Sequence, residues 1–184
     1  MKKVVLLGDS IRLGYQPYLT ELLKGRAEVG GIEDNGRFSL YTAWNVLAFL
    51  KATGSEADVI HWNNGLWDAS RPIAEAGRLV SNEEYARNLR AILGELCRRR
   101  PNAAVIFATS TPTRPENQLT YNADVMELND VARAVMAEEG VEINDLYALV
   151  AAHPEWICGD FIHLTPDGYA AAAEQVAAAV GKYL

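Results

Sequence analysis

Five short apolar runs punctuate the chain, at Lys3–Leu7, Ala27–Ile32, Asp58–Trp62, Ala103–Ala108 and Val141–Ile143. Each is rich in β-branched residues, too short for a helix, and largely continuous in apolar residues rather than alternating, which predicts strands buried on both faces. Between them lie amphipathic segments at Pro17–Lys24, Leu40–Lys51, Asn82–Arg100 and Ala123–Glu139, with a last one from Pro166 to the end. Helix boundaries are marked: Ser81-Asn82-Glu83-Glu84 is a capping box, Thr165-Pro166 sets a cap before a first-turn proline, and Gly140 follows a helix as a stop. Crossovers of this length allow parallel pairing. The pattern predicts a three-layer α/β/α, flavodoxin-like fold with a five-stranded parallel sheet, forming one domain over residues 1–184.

Such a fold binds ligands at the carboxyl ends of its strands, and the two least regular stretches, Leu66–Val80 and Ser110–Asn122, both follow strands. The first strand runs into Gly8-Asp9-Ser10, a turn that presents a hydroxyl beside outward-pointing N–H groups, although Gly, Asp and Ser are also ordinary turn and cap residues. The third ends in Trp62-Asn63-Asn64-Gly65, where a carboxamide can donate to an oxyanion or simply build a turn. After the second comes Glu33-Asp34-Asn35-Gly36, followed by a helix cap at Ser39; Gly36 can bring a bare N–H close to a substrate oxygen. Before the last helix stands Asp160-Phe161-Ile162-His163. An Asp three residues before a His can fold its carboxylate against one ring nitrogen, fixing the tautomer while the other nitrogen takes a proton.

Composition narrows the picture. Of 184 residues, 49% are hydrophobic and 22% charged, as in an ordered globular protein. The 17 basic and 24 acidic residues leave a net charge of −7, which excludes the basic footprint of a nucleic-acid binder. No apolar stretch is long enough to span a membrane. The run Val4–Leu7 is stopped by Gly8-Asp9, too short for a signal-peptide core, so a cytoplasmic location is expected, although a chain whose leader had been removed would read the same. Cys97 and Cys158 lie in no ligand-spaced cluster and read as ordinary interior thiols. His61, within the third apolar run, reads as a core histidine, His153 as a loop residue, and Arg98-Arg99-Arg100 as cations suiting a helix carboxyl end. Neither a metal site, for which Asp160, His163 and His153 are the only candidates, nor a cofactor is expected.

Taken together, Gly8-Asp9-Ser10, Gly36, Asn63 and Asp160-x-x-His163 resemble the SGNH hydrolases, the GDSL family of esterases and lipases, in order and spacing over essentially the whole chain. The resemblance implies a catalytic triad of Ser10 as nucleophile with Asp160 and His163, and an oxyanion hole from the Ser10 N–H, Gly36 and Asn63. The chain departs from the family in reading Gly-Asp-Ser-Ile for Gly-Asp-Ser-Leu, and Trp62-Asn63-Asn64 where Gly-x-Asn-Asp is usual. Asn63 is taken as the donor, with Asn64 in the Asp place. The function so implied is a serine ester hydrolase acting on small soluble esters, with acetylated carbohydrate as the expected substrate. An acyltransferase with the same triad and a non-catalytic carbohydrate-binding protein are the alternatives. Trp67, Arg71, Arg114 and Trp156 are candidates to line the pocket.

Overall fold

The computed structural model describes residues 1–54 and 56–184. Five strands, β1 (Lys2–Leu7), β2 (Ala27–Gly31), β3 (Val59–Trp62), β4 (Ala104–Ala108) and β5 (Glu142–Asn144), form one sheet in the order β2-β1-β3-β4-β5, with every pair parallel. Six α-helices connect them: α1 (Ser10–Leu22), α2 (Ser39–Ala52), α3 (Asn82–Arg99), α4 (Asn122–Glu138), α5 (Leu146–Ala151) and α6 (Pro166–Val180). Helix α1 packs on α6, while α2 packs on α3 and α3 on α4, giving a helical layer on each face of the sheet. This is the flavodoxin-like three-layer fold expected from the strand pattern. The central strands β1 and β3 are buried through most of their length, which explains their continuous apolar runs. The strand order reverses direction between β1 and β3, so the loops after these two strands flank the crevice where this fold binds ligands.

The capping signals are where the sequence put them. Ser81 and Glu84 form a reciprocal capping box on α3, Thr165 accepts from the Gly168 N–H, and Gly140 takes a left-handed conformation just past α4.

Some expectations need correction. Helix α1 begins at Ser10, not Pro17: the Asp9 side chain caps it by accepting from the Ile11 N–H, and the proline is carried inside the helix because Ile11, Tyr15 and Leu19 anchor it to the core. The short α5 was not anticipated; a single Asp145 cap holds it, with too few residues to show a period. Ser39 is the first residue of α2 rather than its cap, and the capping oxygens come from Asp68, whose carboxylate accepts from the Ser39 N–H. Neither cysteine is an interior thiol: Cys97 is exposed and Cys158 half-buried. Cys97 follows the buried Leu96, and one residue along a helix turns the side chain about 100° from the core.

His61 is a core residue. Its Nε2 accepts from Asn144 Nδ2 (3.1 Å), whose own Oδ1 accepts from Gln175 Nε2 (2.7 Å), so the ring proton sits on Nδ1, facing the Tyr15 hydroxyl at 3.0 Å. This buried chain joins α1, β3, β5 and α6. No helix among the described residues is long and apolar enough to cross a membrane.

Candidate active site

Ser10 is the first residue of α1, so its N–H has no partner within the helix and its hydroxyl stands at the carboxyl end of β1. His163 reaches it from the loop before α6, and the two are 153 residues apart in sequence. Ser10 Oγ lies 2.8 Å from His163 Nε2, and His163 Nδ1 lies 2.6 Å from Asp160 Oδ2. An ionised carboxylate only accepts, so Nδ1 carries the ring proton and Nε2 is left to accept from the serine hydroxyl.

The Asp160 carboxylate is held from the other side as well, its Oδ1 accepting from the Ile162 and His163 N–H groups at 3.1 and 2.9 Å. Burial opposes its ionisation, but the His163 N–H, the imidazole and the Ile162 N–H outweigh it and hold the carboxyl below its usual range. The loop turns at Phe161, a non-glycine residue at φ 69°, whose carbonyl accepts from the Arg114 N–H.

The two candidate carboxamides part company. Asn64 is fully used inside the protein: its Oδ1 accepts from Trp62 Nε1 (2.7 Å), and its Nδ2 donates to the Arg37 carbonyl and the Thr42 hydroxyl (3.0 Å each). Asn63 is 5% exposed; its Oδ1 has no hydrogen-bond partner among the described residues, and its carboxamide lies beside the buried Asp9 carboxylate, whose ionised form it favours. A side chain on Gly8 would meet Asn63 Oδ1 at 1.9 Å, so the glycine before Asp9-Ser10 is what lets this amide lie against the β1–α1 turn. With Asn64 committed to the interior, Asn63 is the carboxamide left beside the nucleophile turn.

Gly36 does not have a free N–H. It donates to the Gly8 carbonyl at 2.8 Å, and a Cβ added at Gly36 would lie 2.8 Å from that same oxygen. The absence of a side chain serves close backbone packing of the β2–α2 loop on the nucleophile turn, not an open oxyanion donor.

Beneath the turn lies a charged layer that the sequence reading missed. Arg12 is fully buried and its guanidinium donates to the carbonyls of Ile32 (2.8 Å), Asp34 (2.7 Å) and Gly8 (3.3 Å), tying the turn to the loop that carries Gly36. An arginine in the first turn of a helix opposes the dipole, and this was the available signal. Asp9 is also fully buried, and its Oδ2 has no hydrogen-bond partner. Burial pushes its pKa up, against the pull of the nearby Asn63 carboxamide, the Ile11 N–H and the Arg12 charge. Asp68, which caps α2 from 29 residues away, is raised to about 6 by burial against its bonds to Ser39; nothing local in the sequence marks it.

Ser10 and His163 open on a cavity of about 480 Å³ walled by Phe38, Leu66, Trp67, Leu79, Leu119 and Ile162. Of the four loop residues nominated from sequence, only Trp67 lines it. Arg71 is spent on a bidentate pair with Asp124, Arg114 donates to the Pro154 carbonyl, and Trp156 stacks on His153. Among the described residues no group of three or more His, Cys, Asp and Glu is placed to hold a metal ion.

Residues 6–171 match the GDSL-like Lipase/Acylhydrolase family. A GDSL esterase/lipase of Arabidopsis thaliana is 28% identical over 203 residues, covering 96% of this chain and 84% of the plant protein. Among solved structures, the lipase/acylhydrolase of Enterococcus faecalis superposes with a TM-score of 0.81 at 20% identity, covering 100% of this chain and 98% of that one. The acetylxylan esterase Axe2 of Geobacillus stearothermophilus gives 0.77 at 19% identity, covering 98% and 94%. The two structures establish likeness of fold, and the match over most of the sequence establishes kinship: the chain belongs to the GDSL-like Lipase/Acylhydrolase family and is a carboxylic ester hydrolase of that type.

Proposed function

We propose that the protein hydrolyses small-molecule esters through an acyl-enzyme on Ser10. His163 Nε2 takes the Ser10 proton as Oγ attacks the ester carbonyl, and Asp160 supports the imidazolium that forms. The developing oxyanion is received by the Ser10 N–H, which has no acceptor within the helix, and by Asn63 Nδ2, whose carboxamide lies against the same turn. His163 then protonates the leaving alcohol, and a water activated by the same imidazole releases the acid. The observation that carries this reading is the unbroken hydrogen-bonded run from Ser10 Oγ through His163 to Asp160. With Gly36 committed to Gly8, the proposed hole rests on two donors.

A fluorophosphonate probe tests the reading. Mass spectrometry is expected to find one adduct, on Ser10, and Ser10→Ala is expected to lose both labelling and turnover while keeping its melting temperature. Labelling elsewhere, or turnover by the variant above a few per cent of the parent, refutes it. Acetylated carbohydrate, the substrate expected from sequence, has likeness of fold alone behind it, and the cavity beside Ser10 favours a different ester.

A further inference from the structure

We infer that the ester bound here carries an unbranched apolar chain of several carbons, buried in the cavity beside Ser10, and that acetylated sugars are turned over far less well. The inference rests on Ser10 being the nucleophile as proposed above.

The cavity offers a sugar little to bond. Besides Ser10 and His163 its polar groups are those of Asn35, Ser70 and Thr120 and the indole N–H of Trp67, and no Asp, Glu, Lys or Arg lines it. The hydroxyls are turned inward: Ser70 Oγ donates to the Leu66 carbonyl at 3.0 Å, so in the 2.8 Å contact between Ser70 and Thr120 the threonine is the donor. Asn35 Oδ1 is taken by the Arg37 N–H, so that beyond the triad Asn35 Nδ2 and the Trp67 indole N–H are the donors left facing a ligand. A sugar, with several hydroxyls to satisfy, would give up water here for few replacement partners.

An apolar chain meets the opposite situation. Trp67, Leu79 and Leu119 are 40%, 42% and 51% exposed at the cavity, and apolar surface gathered at one opening marks a binding place for apolar matter. The loop carrying Trp67 and Leu79 is closed on itself by the Leu79 N–H to the Ser70 carbonyl (2.8 Å) and tied to the loop carrying Leu119 by the Arg71 N–H to the Leu119 carbonyl (2.7 Å), so the walls are built before ligand arrives. The volume, about 480 Å³, lies in the lower part of the range of ligand cavities and suits a single chain. The chain can be the acyl or the alkyl half of the ester; both present the same surface to these walls.

Two substrate series separate the halves: p-nitrophenyl esters from acetyl to dodecanoyl, and acetates of alcohols from ethanol to octanol, with acetylated xylo-oligosaccharides for comparison. In one series kcat/KM is expected to rise about three- to fourfold per methylene, the ratio that transfer of one CH₂ from water supplies, until the chain outgrows the cavity. Leu79→Asp and Leu119→Asp, at exposed positions, are expected to lower the hexanoyl-to-acetyl ratio by about tenfold or more in the series that responds. Profiles flat or falling from the shortest member in both series, a preference for acetylated xylo-oligosaccharides, or a ratio unmoved by both aspartates overturns the inference. Fluorophosphonate labelling keeps the two readings apart. A labelled enzyme with flat profiles defeats this inference alone, whereas an unlabelled protein inactive on every ester defeats the proposed mechanism and this inference with it.

Discussion

Replacing each of the adjacent asparagines by alanine separates chemistry from stability within one dipeptide. Asn64→Ala removes three hydrogen bonds, two of them buried, and leaves Trp62 Nε1 and the half-buried Arg37 carbonyl without their partner. Two stranded groups at about 1–2 kcal/mol each cost about 2–4 kcal/mol. At about 2–4 °C per kcal/mol for a chain of this size, the melting temperature falls by about 4–16 °C. Asn63→Ala removes an amide whose Oδ1 is buried without a partner and whose one internal role is to lie beside the Asp9 carboxylate, so its effect on melting is expected to be smaller than that of Asn64→Ala. Its effect on turnover is expected to be large: one lost oxyanion donor costs about 10²–10³ in kcat, or about 2.7–4 kcal/mol, with a smaller change in KM because the charge exists only at the transition state. Steady-state kinetics on a p-nitrophenyl ester and thermal melting by circular dichroism on both variants supply the four numbers. The reasoning fails if the kcat loss follows Asn64, or if Asn63→Ala melts lower than Asn64→Ala while retaining parental kcat.

Asp160→Asn keeps the shape of the last loop but supplies no negative charge to the imidazolium, and a loss on the order of 10⁴ in kcat is expected from the behaviour of serine triads; near-parental turnover would dissociate Asp160 from the chemistry. Gly36→Ala places a Cβ about 2.8 Å from the Gly8 carbonyl, and such overpacking is expected to cost about 1–3 kcal/mol in urea denaturation; an unchanged unfolding midpoint would show that the two loops are not in contact. Burial holds His61 neutral with its pKa pushed down to about 3. Above its ordinary value of about 6.5 both states are neutral, whereas below it the unfolded chain takes up a proton that the folded one refuses, so its contribution falls by about 2 kcal/mol between pH 6.5 and 5. Asp68, raised to about 6, acts in the opposite sense, costing stability as pH climbs from about 4 through 6. Unfolding free energies measured at pH 5 and 7.5 are therefore expected to show a smaller acid loss in His61→Gln and a larger one in Asp68→Asn; pH dependences unchanged by both substitutions would contradict these assignments.

What the sequence determined by itself is the part of this protein set by neighbours along the chain. Strand runs, the Ser81–Glu84 capping box, the Thr165 cap and the pairing of Asp160 with His163 all involve residues within a few positions of one another, where backbone geometry alone decides which groups meet. Even Ser10 and His163, far apart in the chain, were legible together because parallel α/β topology gathers strand ends at one edge of the sheet. The sequence offered Asn63 and Asn64 side by side, but not which one the interior would consume; Trp62 Nε1, Arg37 and Thr42 decided that. Gly36 was read as a donor, yet its N–H went to Gly8, because a backbone group takes whichever acceptor the packing brings nearest. The start of α1 ahead of Pro17, the Asp68 cap on α2, the buried Arg12 and the closing of the Ser70–Thr120 pair were likewise settled only by the tertiary structure. In each case the free energy comes from partners remote in sequence, and burial sets its size by removing water as the competing partner.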